Sequence, residues 1–252
     1  MAEHFDLDIS DGVATITLNR QEKLNALTFD TYADLRDTLT DLPGGDARAV
    51  VLTGRGRGFS SGGDIEEIIH AVQHLSAAEL LEFTRMTGAV VRALRECPLP
   101  VIAAVNGIAA GAGAVLALAS DFRLLAQSAT FSFLFAKVGL AGADLGATYL
   151  LPRLIGLARA TELLMFGETI DADHAERLGL ATAVVPDDAL LDEATKLAHR
   201  LTEGPSFASS TIKVLLSREQ DMDLGAAVEL EASTQALLMA DADHERLSGP
   251  AS

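Results

Sequence analysis

Two apolar segments of this chain, each typical of a buried strand, lead into turns of glycine and other small residues. The first, Ala49–Thr53, is followed by a glycine-rich stretch from Gly54 to Asp64. The second, Val101–Val105, is followed by Asn106–Val115, which reads Asn-Gly-Ile-Ala-Ala-Gly-Ala-Gly-Ala-Val. Because parallel strands present their carboxyl ends at the same edge of a sheet, we expect the two turns to open toward one crevice. The pattern predicts an α/β fold with a ligand site between the turns.

Neither turn matches a nucleotide-binding motif. The first lacks the Lys-Ser/Thr pair of a phosphate loop, and no Gly-x-Gly-x-x-Gly opens a helix after the strand. Glycine here allows the backbone to turn tightly or to approach a ligand closely. In the second turn, small residues at Gly111, Ala112 and Gly113 leave the first N–H groups of the next helix open to a ligand carbonyl. The alternatives are a flexible loop for the first turn and close helix packing for the second.

Composition argues against several classes of protein. The 252 residues include 36 Asp and Glu against 19 Lys and Arg, a net charge of −17, which disfavours nucleic acid or an anionic membrane as a partner. The one cysteine, Cys97, fits a reducing, cytoplasmic location. No signal peptide is expected from Met1–Phe5. The apolar segment Leu99–Ala119 is interpreted as a strand and a helix rather than a membrane span, since Asn106-Gly107 marks a turn within it.

Predicted strands and helices alternate as far as residue 185. Asp11-Gly12 is a hairpin signal, and Ser76 with Glu79 forms a capping-box pattern that predicts a helix to about Glu96. From Asp188 onward the spacing is helical, with an interruption at Gly204-Pro205. We therefore predict a core domain over 1–195 and a helical C-terminal region over 196–252.

Two segments carry a resemblance to a known family. Phe59–Ile65 reads Phe-Ser-Ser-Gly-Gly-Asp-Ile, and Val101–Gly113 reads Val-Ile-Ala-Ala-Val-Asn-Gly-Ile-Ala-Ala-Gly-Ala-Gly. Further matching segments follow in order along the chain: Leu18–Ala26, Ser120–Arg123, Leu151–Gly156 and Ala175–Leu180. Together they resemble the crotonase superfamily, the enoyl-CoA hydratase/isomerase family, over most of the chain.

The resemblance implies a ClpP/crotonase-like spiral of ββα units with a helical C-terminal region that assembles a homotrimer or a dimer of trimers. It implies a coenzyme A thioester of fatty acid metabolism as substrate, with no separate cofactor and no metal. Two backbone amides, here those of Gly63 and Ala112, would form an oxyanion hole for the thioester enolate. The implied coenzyme A contacts are the backbone of Ala26, Ser61, Asp64 and Ile65, with Arg20 and Lys23 near the nucleotide.

Two positions depart from the hydratases of this family. The two glutamates that add water across the double bond correspond here to Val115 and Phe135, and neither can move a proton. Asp144, eight residues before Pro152, lies where dienoyl-CoA isomerases and ring-opening enoyl-CoA isomerases carry a catalytic Asp. Apolar neighbours such as Val115, Phe135 and Leu140 would raise the pKa of this carboxyl and suit it to proton transfer.

The sequence therefore favours an enoyl- or dienoyl-CoA double-bond isomerase that uses Asp144. An enoyl-CoA hydratase with an atypical base and an inactive acyl-CoA-binding homologue are alternatives, and Asp144 could instead be the N-cap of a helix over 145–151.

The aryl-CoA dehalogenase branch, which shares this Asp, is disfavoured because the chain has no Trp and has Gly88 where that branch has His. A Clp-type peptidase is disfavoured because the second turn offers no Ser. His70 and His74 are interpreted as surface residues, and Tyr149 as a core residue.

Overall fold

The computed structural model describes residues 4–142, 145–203 and 206–240. Ten strands lie in these ranges. In chain order they are β1 (Phe5–Ser10), β2 (Val13–Leu18), β3 (Ala49–Gly54), β4 (Gly58–Ser60), β5 (Val101–Val105), β6 (Ile108–Ala110), β7 (Phe122–Ala126), β8 (Thr130–Ser132), β9 (Thr169–Asp171) and β10 (Ala183–Val185). They form a six-stranded sheet, β1-β2-β3-β5-β7-β10, and a four-stranded sheet, β4-β6-β8-β9.

The two sheets are built by a repeated chain path. β3 and β4, β5 and β6, and β7 and β8 are successive pairs, with one strand of each pair in each sheet. Neighbouring strands are parallel except for β1 with β2 and β8 with β9. This arrangement is the predicted spiral of ββα units.

Ten α-helices complete the described chain. They are α1 (Phe29–Asp41), α2 (Ile65–His74), α3 (Ala77–Glu96), α4 (Ala112–Ala119), α5 (Ala147–Ile155), α6 (Leu157–Phe166), α7 (Ala172–Arg177), α8 (Leu190–Thr202), α9 (Ser206–Arg218) and α10 (Leu224–Ala240). After β10 the described residues contain helices and no strands. The predicted domain boundary at 195/196 falls inside α8 and stays a prediction.

Side-chain caps explain where several helices begin. Thr28 and Thr31 form a capping box at α1. Ser76 and Glu79 form the capping box that was predicted at α3. The helix predicted over 145–151 instead starts at Ala147. Its N-cap is Gly146 in the left-handed conformation, so the alternative role of Asp144 as this N-cap is wrong.

The apolar segment Leu99–Ala119 is buried inside the protein. It contains β5, β6 and α4, and every residue of α4 is buried. A helix that is apolar on all sides is expected where it is enclosed by other elements. Among the described helices, none combines the length and the hydropathy needed to cross a membrane.

Candidate active site

The two small-residue turns lie against each other. β4 and β6 are parallel neighbours, so the turns that follow them leave adjacent strands in the same direction. At Gly62, where φ is +98°, an added Cβ would lie 2.8 Å from the Ala110 carbonyl oxygen and 3.1 Å from the Ala112 nitrogen. Only glycine fits this close approach, which brings the first turn beside the start of α4, as predicted.

Each turn presents one free amide. The backbone on either side of Gly63 is held by Leu27, whose nitrogen donates to the Gly62 oxygen and whose oxygen accepts from the Asp64 nitrogen, both at 2.8 Å. Ala112 is the first residue of α4, where helix geometry provides no partner for its N–H. Within the described residues, the amides of Gly63 and Ala112 have no protein acceptor. Each turn therefore has one N–H donor that is left over for a ligand, and the role of the two amides as an oxyanion hole stays a prediction.

Contacts beneath the turns fix these amides. The hydroxyl of Ser60 donates to the Asn25 carbonyl at 2.8 Å and accepts from the Gly62 amide at 3.2 Å. An added Cβ at Gly113 would lie 2.3 Å from the Ser60 carbonyl oxygen, so α4 packs directly on β4. Donors held in this way need little reorganisation when charge develops on a bound oxygen.

The positions of the two hydratase glutamates are apolar and buried. Val115 is fully buried within α4, and Phe135 is 8% exposed in a short 3-10 helix, Leu134–Val138. A Cβ added at Gly111 would lie 3.9 Å from the Phe135 ring, and a Cβ added at Gly142 would lie 2.6 Å from it. Leu140, by contrast, is half exposed. Phe135 thus connects the second turn with the segment that leads to residue 144.

Asp144 lies outside the described residues. On its N-terminal side the described chain ends at Gly142, beside Phe135, and on its C-terminal side it resumes at the buried Leu145. The Leu145 nitrogen donates to the Gly142 carbonyl at 3.4 Å. The catalytic role of Asp144 stays a prediction.

The Arg20 side chain contacts two of the other residues expected to bind coenzyme A. Its guanidinium donates to the Ala26 carbonyl at 2.8 Å and to the Asp64 carboxylate at 3.0 Å. Asp64 is 6% exposed and caps α2 by accepting from the Glu66 amide. Burial alone would raise the pKa of Asp64, but the bonds from Arg20 and from backbone amides outweigh it and hold the pKa below its ordinary value. Arg20 therefore braces the first turn.

The other expected coenzyme residues lie at the same place. Lys23 pairs with Glu66 at 3.0 Å on the surface, and its carbonyl accepts from the Ser61 hydroxyl at 3.2 Å. The Ile65 side chain is 63% exposed. The amides of Ser61 and Asp64 donate to carbonyls of the chain, and the Asp64 carbonyl accepts from the Ile68 amide at 3.0 Å. The structure thus gathers all six residues beside Gly63, and their binding role stays a prediction.

The two histidines and the tyrosine considered from the sequence are all exposed. His70 and His74 are exposed and stacked, with ring centroids 4.3 Å apart, as expected of surface residues. The interpretation of Tyr149 as a core residue is wrong, because it is 41% exposed and its hydroxyl donates to the Asp221 carboxylate at 2.8 Å. Within the described ranges, no three His, Cys, Asp or Glu side chains are placed to hold a metal ion together.

The fold is a ββα spiral, and two amides without a protein acceptor lie in its touching turns. The family model for enoyl-CoA hydratase/isomerase matches residues 8–251. The chain therefore belongs to the enoyl-CoA hydratase/isomerase family, within the crotonase superfamily, and is an enzyme of hydratase/isomerase type.

Relatives within this family are named as isomerases and as hydratases. The chain is 38% identical to the 1,2-epoxyphenylacetyl-CoA isomerase of Escherichia coli, over 97% of this chain and 93% of that protein. It is 34% identical to the crotonyl-CoA hydratase of Syntrophomonas wolfei, over 96% and 92%. A solved structure from Streptomyces coelicolor A3(2), provisionally assigned as an enoyl-CoA hydratase, superimposes with a TM-score of 0.94 at 56% identity and covers 97% of this chain and 90% of that one.

Proposed function

We propose that this enzyme moves the double bond of an enoyl-CoA or dienoyl-CoA thioester, with Asp144 as the proton carrier. The observation that carries the proposal is the pair of free amides at Gly63 and Ala112, one from each of two touching turns. A thioester carbonyl oxygen that accepts from both amides gains negative charge as the enolate forms, and both donors then stabilise it.

The proposed reaction is a proton transfer within the substrate. Asp144 removes a proton from the α- or γ-carbon, the dienolate forms with its charge on the thioester oxygen, and the same carboxyl returns the proton to the other carbon. Both groups belong to the protein, so the chemistry needs no metal or redox cofactor. The buried Val115 and Phe135 support this scheme, because they replace the pair of carboxylates that hydration would use.

Hydration is the second candidate. It is favoured by the name of the Syntrophomonas wolfei relative, a crotonyl-CoA hydratase. The Escherichia coli relative, named an isomerase, favours the first proposal. A hydratase would need a base other than the two usual glutamates, since those positions hold Val and Phe.

Assembly into a cytoplasmic homotrimer is part of the proposal. α10 has no buried residue, although it is rich in apolar side chains. Leu224 is 80% exposed and Leu237 is 74% exposed. An apolar surface of this kind is typical of a helix that is covered by another subunit.

The test is to incubate the purified protein with 2-enoyl-, 3-enoyl- and dienoyl-CoA thioesters in deuterated water and to determine the mass of each product and the position of its double bond. Isomerisation predicts a shifted double bond with no added water, and deuterium enters the acyl group to the extent that the carboxyl exchanges its proton with solvent before returning it. Asp144→Asn should abolish the shift while acyl-CoA binding persists. The exposed Asp188→Asn is the matched control and should leave turnover unchanged. A water adduct would overturn the isomerase proposal in favour of hydration. Binding without any turnover would overturn it in favour of an inactive homologue.

A further inference from the structure

A cleft of about 1210 Å³ lies between α3, the start of α5 and the end of α9. Four arginines line it, and we name it the arginine cleft after them: Arg85, Arg92, Arg95 and Arg218. The family resemblance assigns no role to any of the four.

The charge of the arginine cleft is opposite to that of the protein. Its described lining contains four Arg and one acidic residue, Glu96, whereas the chain has 36 acidic and 19 basic residues. A concave surface lined by one sign of charge focuses the local field and concentrates ions of the other sign. The cleft is therefore suited to an anion although the whole protein repels anions.

The spacing along α3 makes room for a ligand between two cations. Arg85, Gly88, Ala89 and Arg92 follow the i, i+3, i+4, i+7 pattern and so share one face of the helix. Arg85 and Arg92 are two turns apart, roughly 10 Å along the axis. Gly88 and Ala89 have no long side chains to fill the space between them. Glycine is unfavourable inside a helix, so its presence in this stripe suggests a packing or binding reason.

Three of the four arginines can be recruited by a ligand, whereas the Arg95 guanidinium donates to the Ser217 hydroxyl at 2.8 Å. Arg85 and Arg92 pair with Glu82 and Glu96 of the same helix, and these pairs are exposed and weak. The Arg218 side chain makes no ion pair or hydrogen bond with the described residues. A carboxylate entering the cleft would meet Arg218 without breaking an existing contact.

The chain runs directly from the proposed proton carrier into the wall of the cleft. Leu145 and Gly146, which directly follow Asp144 in the chain, line it, and so does Tyr149. Its wall also includes apolar side chains, such as Leu150 and Val214. An acyl group whose reacting carbons lie at Asp144 could extend its far end along this wall toward the arginines.

We propose that the arginine cleft receives the far end of the acyl group, and that this end carries a carboxylate. The substrate class is then the mono-coenzyme A thioester of an unsaturated dicarboxylic acid. This inference rests on the proposed function, because it places the reacting carbons at Asp144.

Binding can be measured without turnover. The probes are saturated mono-coenzyme A thioesters of C6, C8 and C10 dicarboxylic acids, each compared with the monocarboxylic thioester of the same length by calorimetry. We expect at least one dicarboxylic probe to bind about tenfold more tightly, because it gains a charge-assisted contact with arginine. Arg218→Met and Arg92→Met should remove this preference and leave the affinity for the neutral probe unchanged. Arg159→Met, which breaks an equally exposed pair with Glu162, is the control and should keep the preference.

Equal affinities at every length, or an equal weakening of both probes by the cleft variants, would overturn the inference. A preference without isomerisation of any substrate would support the cleft and overturn the proposed function. Isomerisation of a neutral 3-enoyl-CoA, with no preference for dicarboxylic probes, would support the proposed function and overturn the role of the cleft.

Discussion

The amide of Ala112 owes its availability to the residues on either side of it. Gly111 turns with φ of +51° and donates its own N–H to the Ser132 carbonyl at 2.9 Å, so α4 begins at Ala112. The first N–H groups of a helix lie at its positive end. At this position the proposed site therefore uses a backbone N–H and not a side-chain group.

A single substitution that removes the Ala112 N–H tests its role directly. Ala112→Pro removes the N–H, while proline is well tolerated at the first position of a helix. We expect kcat to fall about 10²- to 10³-fold, the usual loss for one oxyanion donor, with little change in thermal stability. Leu157→Pro is the matched control, since Leu157 also begins a helix after a glycine of positive φ. Normal turnover by Ala112→Pro would show that this amide does not stabilise the enolate.

At the scale of elements, one buried lysine of α9 binds the end of α3 and the segments that lead into β5 and β7. The Lys213 ammonium donates to the Leu94 and Leu99 carbonyls at 3.0 and 2.9 Å and pairs with Asp121 at 2.8 Å. Leu94 lies in the last turn of α3, where a cation is favourable. Because α9 also lines the arginine cleft, this lysine helps to hold one of its walls.

Removing the contacts of the Lys213 ammonium should destabilise the packing of the C-terminal helices. Lys213→Met leaves Asp121 partly buried without its main counter-charge, and we expect a loss of about 3–5 kcal/mol in the free energy of unfolding. Urea denaturation measures it. Lys196→Met breaks an exposed pair with Glu193 and should cost less than about 1 kcal/mol. Similar losses in the two variants would mean that Lys213 contributes no more than a surface contact.

Sequence patterns predict long or capped elements better than short ones. The caps at Thr28 and Ser76 mark α1 and α3 because the side chains bond to their own first turns. β4 and β6 have three residues each, too few to show an alternating pattern, so the second sheet could not be predicted from local sequence. The start of α5 was predicted two residues early, because Gly146 sets it through its backbone conformation.

At the scale of the whole molecule, the proposed active site was predictable and the arginine cleft was not. Each turn of the site is one continuous stretch of small residues, and the parallel pairing of β3 with β5, which the sequence predicts, directs both turns to the same edge of a sheet. The cleft is assembled from α3, the residues after Asp144 and the end of α9, which meet only in the folded chain. Its one local signal was the Arg85, Gly88, Ala89, Arg92 stripe on α3.

The most direct measurement is a crystal structure with bound hexanoyl-CoA, a saturated thioester that cannot isomerise. The account predicts a thioester oxygen within about 3.1 Å of both the Gly63 and Ala112 nitrogens. It also predicts that the Asp144 carboxylate lies about 3–3.5 Å from the α- or γ-carbon of the acyl group. A thioester oxygen held away from these amides, or an Asp144 carboxylate that faces solvent far from the acyl carbons, would contradict it.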